Sequence, residues 1–475
     1  MRTRAGLFVV VCVLVVFGVY ARSAVSYDKP LAPNQAPFYG NFQNPIADAL
    51  LDHQLSLKIA PPPGLLALHD PYDPIANDPF RAQGIHDLSL YKGKLYAYFG
   101  PAPAILLYIP FRIFQVGDLS PTIGTLVFAT LGFLFSLGLF RRIVRWWGVD
   151  LPPWMQCVAV FTLGLGVPVA WLVYIGRDYE STIACGYMLL FAGLYFLARG
   201  ALGEARAGFL ALGSLALGLA VAARPTMIVG ALFVVIALVV VLRVRDGPRR
   251  RVGLVVALIA PYVVMGVLVA LFNYARFGSV TEFGQSYQLT LLNVRTYPYG
   301  SWSYVPRGFF YYLFSPGRWL SHFPYLFLRA NAFDPVYIAR APGGQHLYLN
   351  EPVAGLATNM PVTGAGFVLL ATGVRSVARR LPRAIPTVLV LVVPALLALL
   401  ITAYQLQGTT MRYELDFAPL IGLGSLLGWV AWSRIPHRAA WIAWSGHALW
   451  LAALVASIAF SLAITLTPCA GTGSC

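Results

Sequence analysis

The chain has 475 residues, of which 58% are hydrophobic and only 11% charged, and its net charge is +16. That is too apolar for an ordinary soluble domain and points to a polytopic membrane protein. A nucleic-acid binder is excluded, because the positive charge falls in short segments between apolar runs and does not gather on one water-exposed face.

MRTR followed by the apolar run from Ala5 to Ala21 has the parts of a signal peptide: a basic start, a short apolar run and a cleavable ARSA. The run also reaches the lower end of a membrane span, so the expectation is an uncleaved first helix, with Arg2 and Arg4 holding the N-terminus inside. Residues 22–121 form a first large outer loop, in which NPIADALLDHQLSL has the three-to-four spacing of a surface helix. PAPAILLYIPFRIF, 101–114, is broken by prolines and Arg112 and reads as an interfacial or re-entrant piece.

Ten further apolar runs follow, near 122–140, 154–174, 181–198, 207–222, 226–242, 252–273, 361–374, 385–404, 415–433 and 446–466. The expected fold is an all-α polytopic membrane protein of about eleven transmembrane helices, with two large extracytoplasmic loops carrying interfacial helices. Charge supports this count. The segments assigned to the inside hold eighteen arginines against Asp150, Glu204 and Asp246, whereas the rest of the chain has sixteen Lys and Arg against fifteen acids. Counting 101–114 as a span would place RRIVRWW outside and reverse the bias. The expected divisions are a module over 1–273, a second large outer loop over 274–360, and C-terminal helices over 361–475. The cysteines show no metal-type spacing; Cys469 and Cys475 suit either a tail disulfide or free thiols.

Residues able to do acid-base work concentrate in the outer segments. The stretch HDPYDPIANDPFRAQGIHDLSLYKGKLYAYFGPAP, 69–103, brings Asp70, Asp73, Asp78 and Asp87 beside His69, His86 and Arg81, with Asp52 just upstream. Acids crowded at an apolar surface suit a general base or the binding of a divalent metal ion. Asp-Pro pairs are equally ordinary turn starters. Asp87 is the favoured base, since the strand-like KLYAYFG after it would pin it at the membrane. In GRDYE, Asp178 and Glu180 sit at the mouth between two spans, where charge is expensive and usually functional; helix N-termini also favour acids. Arg224 in AARPT runs against the charge bias and suits a lipid-borne phosphate, though arginines also snorkel to headgroups. RYELDF adds Arg412, Tyr413, Glu414 and Asp416, for which an internal ion pair is the plainer account. GFFYYLFSPGRWLSHFPYLFLR reads as a platform lying on the membrane.

The layout and the strings SLYKGKLYAYFGPAPAILL, AARPT, YARFGSVTEFG and RYELDFAPLIG resemble the integral-membrane glycosyltransferases of the GT-C superfamily, which includes protein mannosyltransferases and aminoarabinose-type lipid A transferases. The resemblance implies transfer of a sugar, with inversion, from a polyprenyl-phosphate-linked donor to a glycan, lipid or protein acceptor outside the cytoplasm of a bacterial inner membrane. A first-loop carboxylate would act as base and basic residues would hold the departing phosphate. Asp87, Glu180, Asp70 and Asp73 are the catalytic candidates, and Arg224, Arg412, Tyr413, His86, Arg81 and Asp178 the substrate-binding ones. Better-known branches carry an Asp, often Asp-Glu, soon after the first helix. Here APFYGNFQNPIADAL has Asn41 and Asn44, with Asp48 its first acid, which leaves the role to Asp28, Asp48 or a later aspartate. A lipid-linked glycan transporter or flippase, and an O-antigen ligase or polymerase, are the competing readings.

Overall fold

The computed structural model describes residues 2–25, 42–114, 117–244, 247–290, 293, 295–296, 300–322, 326–328, 349–350, 353–405, 408–436 and 439–466. Asp28, Asn41, Cys469 and Cys475 lie outside the described residues. The helices that organise the chain are α1 (Arg2–Ala24), α2 (Gln43–Leu51), α3 (Ala104–Phe114), α4 (Pro121–Trp146), α5 (Pro153–Ile175), α6 (Asp178–Ala201), α7 (Ala207–Ala223) and α8 (Pro225–Leu242). They continue as α9 (Pro248–Phe277), α10 (Val305–Phe314), α11 (Val362–Arg380), α12 (Ala384–Gln405), α13 (Ala418–Ser433) and α14 (Ala440–Leu466).

Each of the eleven apolar runs is therefore a helix. Eight of them (α1, α4, α5, α6, α8, α9, α12 and α14) are long and apolar enough to cross a membrane. The other three are shorter or more polar: α7 has 17 residues, α13 has 16, and α11 carries Arg375, Arg379 and Arg380. The piece at 101–114 is helical over Ala104–Phe114. A helix of that length reaches only about half of the way across a hydrocarbon core, which takes roughly twenty residues to span.

Local chemistry sets the helix limits. Proline stands in the first turn of α4, α5, α8 and α9, where its missing N–H costs nothing. Gly278 closes α9 with φ 70°, the left-handed cap that glycine adopts without strain. α5 is interrupted between Leu165 and Val169 and then ends on Gly176 at φ 48°. A side chain on Gly176 would press on Thr122, whose hydroxyl donates to the Gly176 carbonyl at 2.9 Å. That contact locks the start of α4 to the turn from which α6 departs.

α6 and α13 form the centre of the bundle and are buried along most of their length. α4 and α7 pack against α6, α9 packs against α7, and α11 and α12 pack against α13. The outer side of α9 exposes Val256, Val263, Val267 and Leu271, the apolar surface a helix presents to lipid.

The strand-like stretch is a β-hairpin, β1 (Leu88–Tyr91) paired antiparallel with β2 (Lys94–Ala97), so that Leu88 faces Ala97 and Tyr91 faces Lys94. Lys92 and Gly93, both with positive φ, make the two-residue turn of the twist-matched hairpin type. The second large loop joins this hairpin: Leu289 donates to the Leu88 carbonyl at 2.8 Å, and Ser89 donates its hydroxyl proton to the Gly284 carbonyl at 2.7 Å. Beyond β2, Gly100 lies so close to the end of α7 that any side chain there would run into the Ala222 carbonyl. The hairpin is thereby seated beside the turn that carries Arg224.

Candidate active site

Asp87 occupies the residue before β1 with a positive φ, in the left-handed conformation that Asp and Asn adopt far more readily than other side-chain-bearing residues. Its backbone N–H donates to the Leu289 carbonyl at 2.8 Å, which fixes the main chain. The Tyr179 hydroxyl donates to Oδ2, and the Gln288 amide donates to Oδ1 at 3.0 Å. His86 Nε2 stands 3.6 Å from Oδ2, an ion pair when the ring is protonated. A carboxylate has about four lone-pair sites, so these contacts aim the group without exhausting it. With 13% of its side chain exposed, Asp87 is held on several sides and still reachable.

Tyr179 lies in the first turn of α6. Phe42 and Phe99 meet its ring edge to face at 5.7 and 5.2 Å, and the Arg412 guanidinium lies 5.2 Å from its centroid. Arg412 also lies 5.5 Å from the centre of the Tyr413 ring, and Arg224 lies 5.0 Å from that same centre. Arg224 closes the series on Asp416, at 2.8 Å, while Thr226 donates to the same carboxylate oxygen at 3.0 Å. Asp87, Tyr179, Arg412, Tyr413, Arg224 and Asp416 thus form one chain of contacts across the start of α6, the start of α8 and the turn between α12 and α13. Two planar cations around one tyrosine suit a phosphate, whose oxygens match the guanidinium fork.

Glu414 stands in this turn and is wholly buried, and among the described residues neither carboxyl oxygen has a hydrogen-bond partner. Burial pushes its carboxyl well above the ordinary carboxylate range.

The other expected residues occupy bracing positions. Asp178 is fully buried and accepts the backbone N–H groups of Phe42 and Gln43, with the Tyr108 hydroxyl at 3.5 Å. Glu180 accepts the Arg177 backbone N–H at 3.0 Å, the return half of a helix capping box. Asp70 accepts the Tyr72 N–H at 2.9 Å and the Asn293 amide at 3.1 Å; Asp73 accepts the Ile75 N–H at 2.8 Å, as turn acids do. Arg81 is buried in the first loop, donating to Asn77 at 2.5 Å and the Pro74 carbonyl at 2.8 Å and pairing with Asp78 at 2.6 Å. Asp48 pairs with Arg112 at 2.8 Å, which ties α2 to α3.

Tyr179, Gln288 and Thr226 were not foreseen from the sequence. A tyrosine at the end of an apolar helix reads as an interface anchor, and only the long-range pairing of β1 with residues 284–289 brings Gln288 to Asp87. Among the described residues no three His, Cys, Asp or Glu side chains converge as a metal site would require.

No protein-family model and no curated protein matches the sequence. The fold is similar to the crystal structure of the oligosaccharyltransferase of Archaeoglobus fulgidus in its apo form, with a TM-score of 0.51 and 12% identity over 97% of this chain. It is likewise similar to the same enzyme tethered through a disulfide bond to an acceptor peptide containing the NVT sequon, with a TM-score of 0.50 and 14% identity over 97% of this chain. The chain spans 56% and 55% of the length of those proteins. From α1 to α14 this is a multi-pass helical membrane protein whose fold is that of the archaeal oligosaccharyltransferase structures.

Proposed function

We propose that the chain is a membrane glycosyltransferase that moves a sugar from a polyprenyl-phosphate donor to a hydroxyl of a cell-envelope glycan, lipid or protein. The observation that carries this is the placement of the Asp87 carboxylate one tyrosine ring away from the Arg412 guanidinium, with Arg224 next in line. The charge bias of the loops supports a bacterial inner-membrane location with this end of the bundle facing the periplasm.

In the proposed reaction Asp87 accepts the proton of the acceptor hydroxyl as its oxygen attacks the anomeric carbon from the side opposite the phosphate. The bond between that carbon and the phosphate oxygen breaks, the electron pair leaves with the polyprenyl phosphate, and the sugar inverts. Arg412 and Arg224 stabilise the negative charge that gathers on the departing phosphate. Tyr179 and Gln288 keep Asp87 aimed, while Asp178 and Glu180 hold the start of α6 beneath it. A transporter would need no aimed carboxylate beside an anion site, which favours the enzyme over a flippase.

The test compares envelope glycans by mass in a strain lacking the gene and in the same strain carrying wild-type or Asp87→Asn protein. Loss of one saccharide in the deletion, its return with wild type, and its continued absence with an inserted, folded Asp87→Asn protein are expected. Full restoration by Asp87→Asn would remove the base from the scheme.

A further inference from the structure

The same helices carry a second feature at their opposite ends, which the proposed reaction does not use. A cavity of about 600 Å³ lies between the C-terminal parts of α4, α6 and α8 and the beginning of α12. Its walls are mostly aliphatic, with Leu197, Ala198 and Ala237 among them, and Trp146, Arg243 and Thr387 line it where the helices terminate. Val239, in the same wall, is 43% exposed, so the space opens to the flank of the bundle. Protein interiors are close-packed, and a void of this size falls in the range of sites that hold a ligand.

The polar chemistry at its end is one-sided. Arg383 lies 4.8 Å from the Trp146 ring centre and donates to the Trp146 carbonyl at 2.8 Å; Arg142 donates to the Leu202 carbonyl. The joining segments RRIVRWW, ARGALGEAR and RVRDGPRRR supply further arginines against few acids. A guanidinium and an indole where apolar helices end are the groups that meet a phosphate headgroup at a membrane surface.

We propose that this cavity takes an acyl chain of an anionic phospholipid, with the lipid phosphate at Arg243 beside Trp146. The site stands apart from Arg224 by the length of α8, roughly 30 Å at the rise of a helix, and rests on no step of the transfer reaction.

The experiment uses the full chain purified in detergent, incubated with phosphatidylglycerol or phosphatidylcholine and examined by native mass spectrometry. Wild type is expected to retain phosphatidylglycerol in preference to phosphatidylcholine. Arg243→Ala should weaken phosphatidylglycerol about fivefold, the effect of one basic group at a charged membrane surface, and Arg243→Lys should restore it. Ala198→Trp, which fills the cavity, should lose both lipids. Equal retention of phosphatidylglycerol by wild type, Arg243→Ala and Ala198→Trp would overturn the proposal. Loss with Ala198→Trp but not with Arg243→Ala would overturn the choice of an anionic lipid. Because Arg243 is exposed, its substitution tests headgroup binding in a protein that folds even where Ala198→Trp does not.

Discussion

The Arg412 guanidinium lies over the Tyr179 ring, 5.2 Å from its centroid. Because the hydroxyl of that ring donates to Asp87, a single side chain lies between the proposed base and a guanidinium proposed to hold the phosphate. Arg412→Lys keeps the charge but loses the planar contact with Tyr179 and Tyr413. Arg412→Ala is expected to slow transfer by roughly 10²–10³, the cost of removing one preorganised donor, with Arg412→Lys intermediate. Initial rates of glycan transfer in membrane preparations decide it; wild-type rates for Arg412→Ala would show that phosphate is held elsewhere.

Tyr179→Phe separates aim from packing. The ring stays between Phe42 and Phe99, while the hydroxyl that orients Asp87 is lost. Removing one hydrogen bond to a charged group is worth about 1.5–3 kcal/mol. A drop of about tenfold or more in turnover is expected, beside a modest fall in unfolding temperature from the same lost bond. If unfolding shifts and turnover does not, Tyr179 only packs.

Asp416 and Arg224 are a buried pair, with 1% and 14% of their side chains exposed. Arg224→Ala leaves a buried carboxylate without its cation and is expected to cost about 3–5 kcal/mol of stability. Arg224→Met combined with Asp416→Leu should recover most of that loss while activity stays low, because the proposed phosphate contact is gone. Thermal unfolding in detergent measures the first effect and transfer rates the second. Activity restored by the double substitution would show the pair to be structural only.

Glu414 gives a pH dependence of defined sign. Its carboxyl is raised by burial, so between its ordinary range and its raised one the folded chain holds a proton that the unfolded chain releases. Stability from this group therefore falls as pH rises. Glu414→Gln, which cannot ionise, should gain thermal stability relative to wild type from pH 5 to pH 8, and the gain should grow with pH. A gap that stays constant across that window would mean that Glu414 ionises freely.

The helical pattern was legible because membrane helices announce themselves by length and apolarity, and all eleven runs reappear as helices. The hairpin was legible in part: KLYAYFG showed its strand character, but its partners in residues 284–289 lie almost two hundred positions away. Within the site, Arg224, Arg412 and Tyr413 stood out because AARPT and RYELDF put charge at the end of an apolar helix, and Asp87 because the strand-like KLYAYFG follows it. For Asp70, Asp73, Asp178 and Glu180 sequence left two accounts open, since a carboxylate that caps a backbone and one that takes a proton are spelled alike, and Arg81 stood out only by its place beside the acids. The contacts now place these side chains on backbone N–H groups, a neighbouring amide or loop partners.

Asp178 has a bearing on how the protein is made. Its carboxylate receives the N–H groups of Phe42 and Gln43, residues synthesised long before it. The nascent chain has therefore released its first polar loop well before the acid that fastens that loop leaves the ribosome. Until α6 enters the bilayer, the beginning of α2 lacks its anchor, so the order of synthesis imposes a waiting period on the assembly of this end of the bundle.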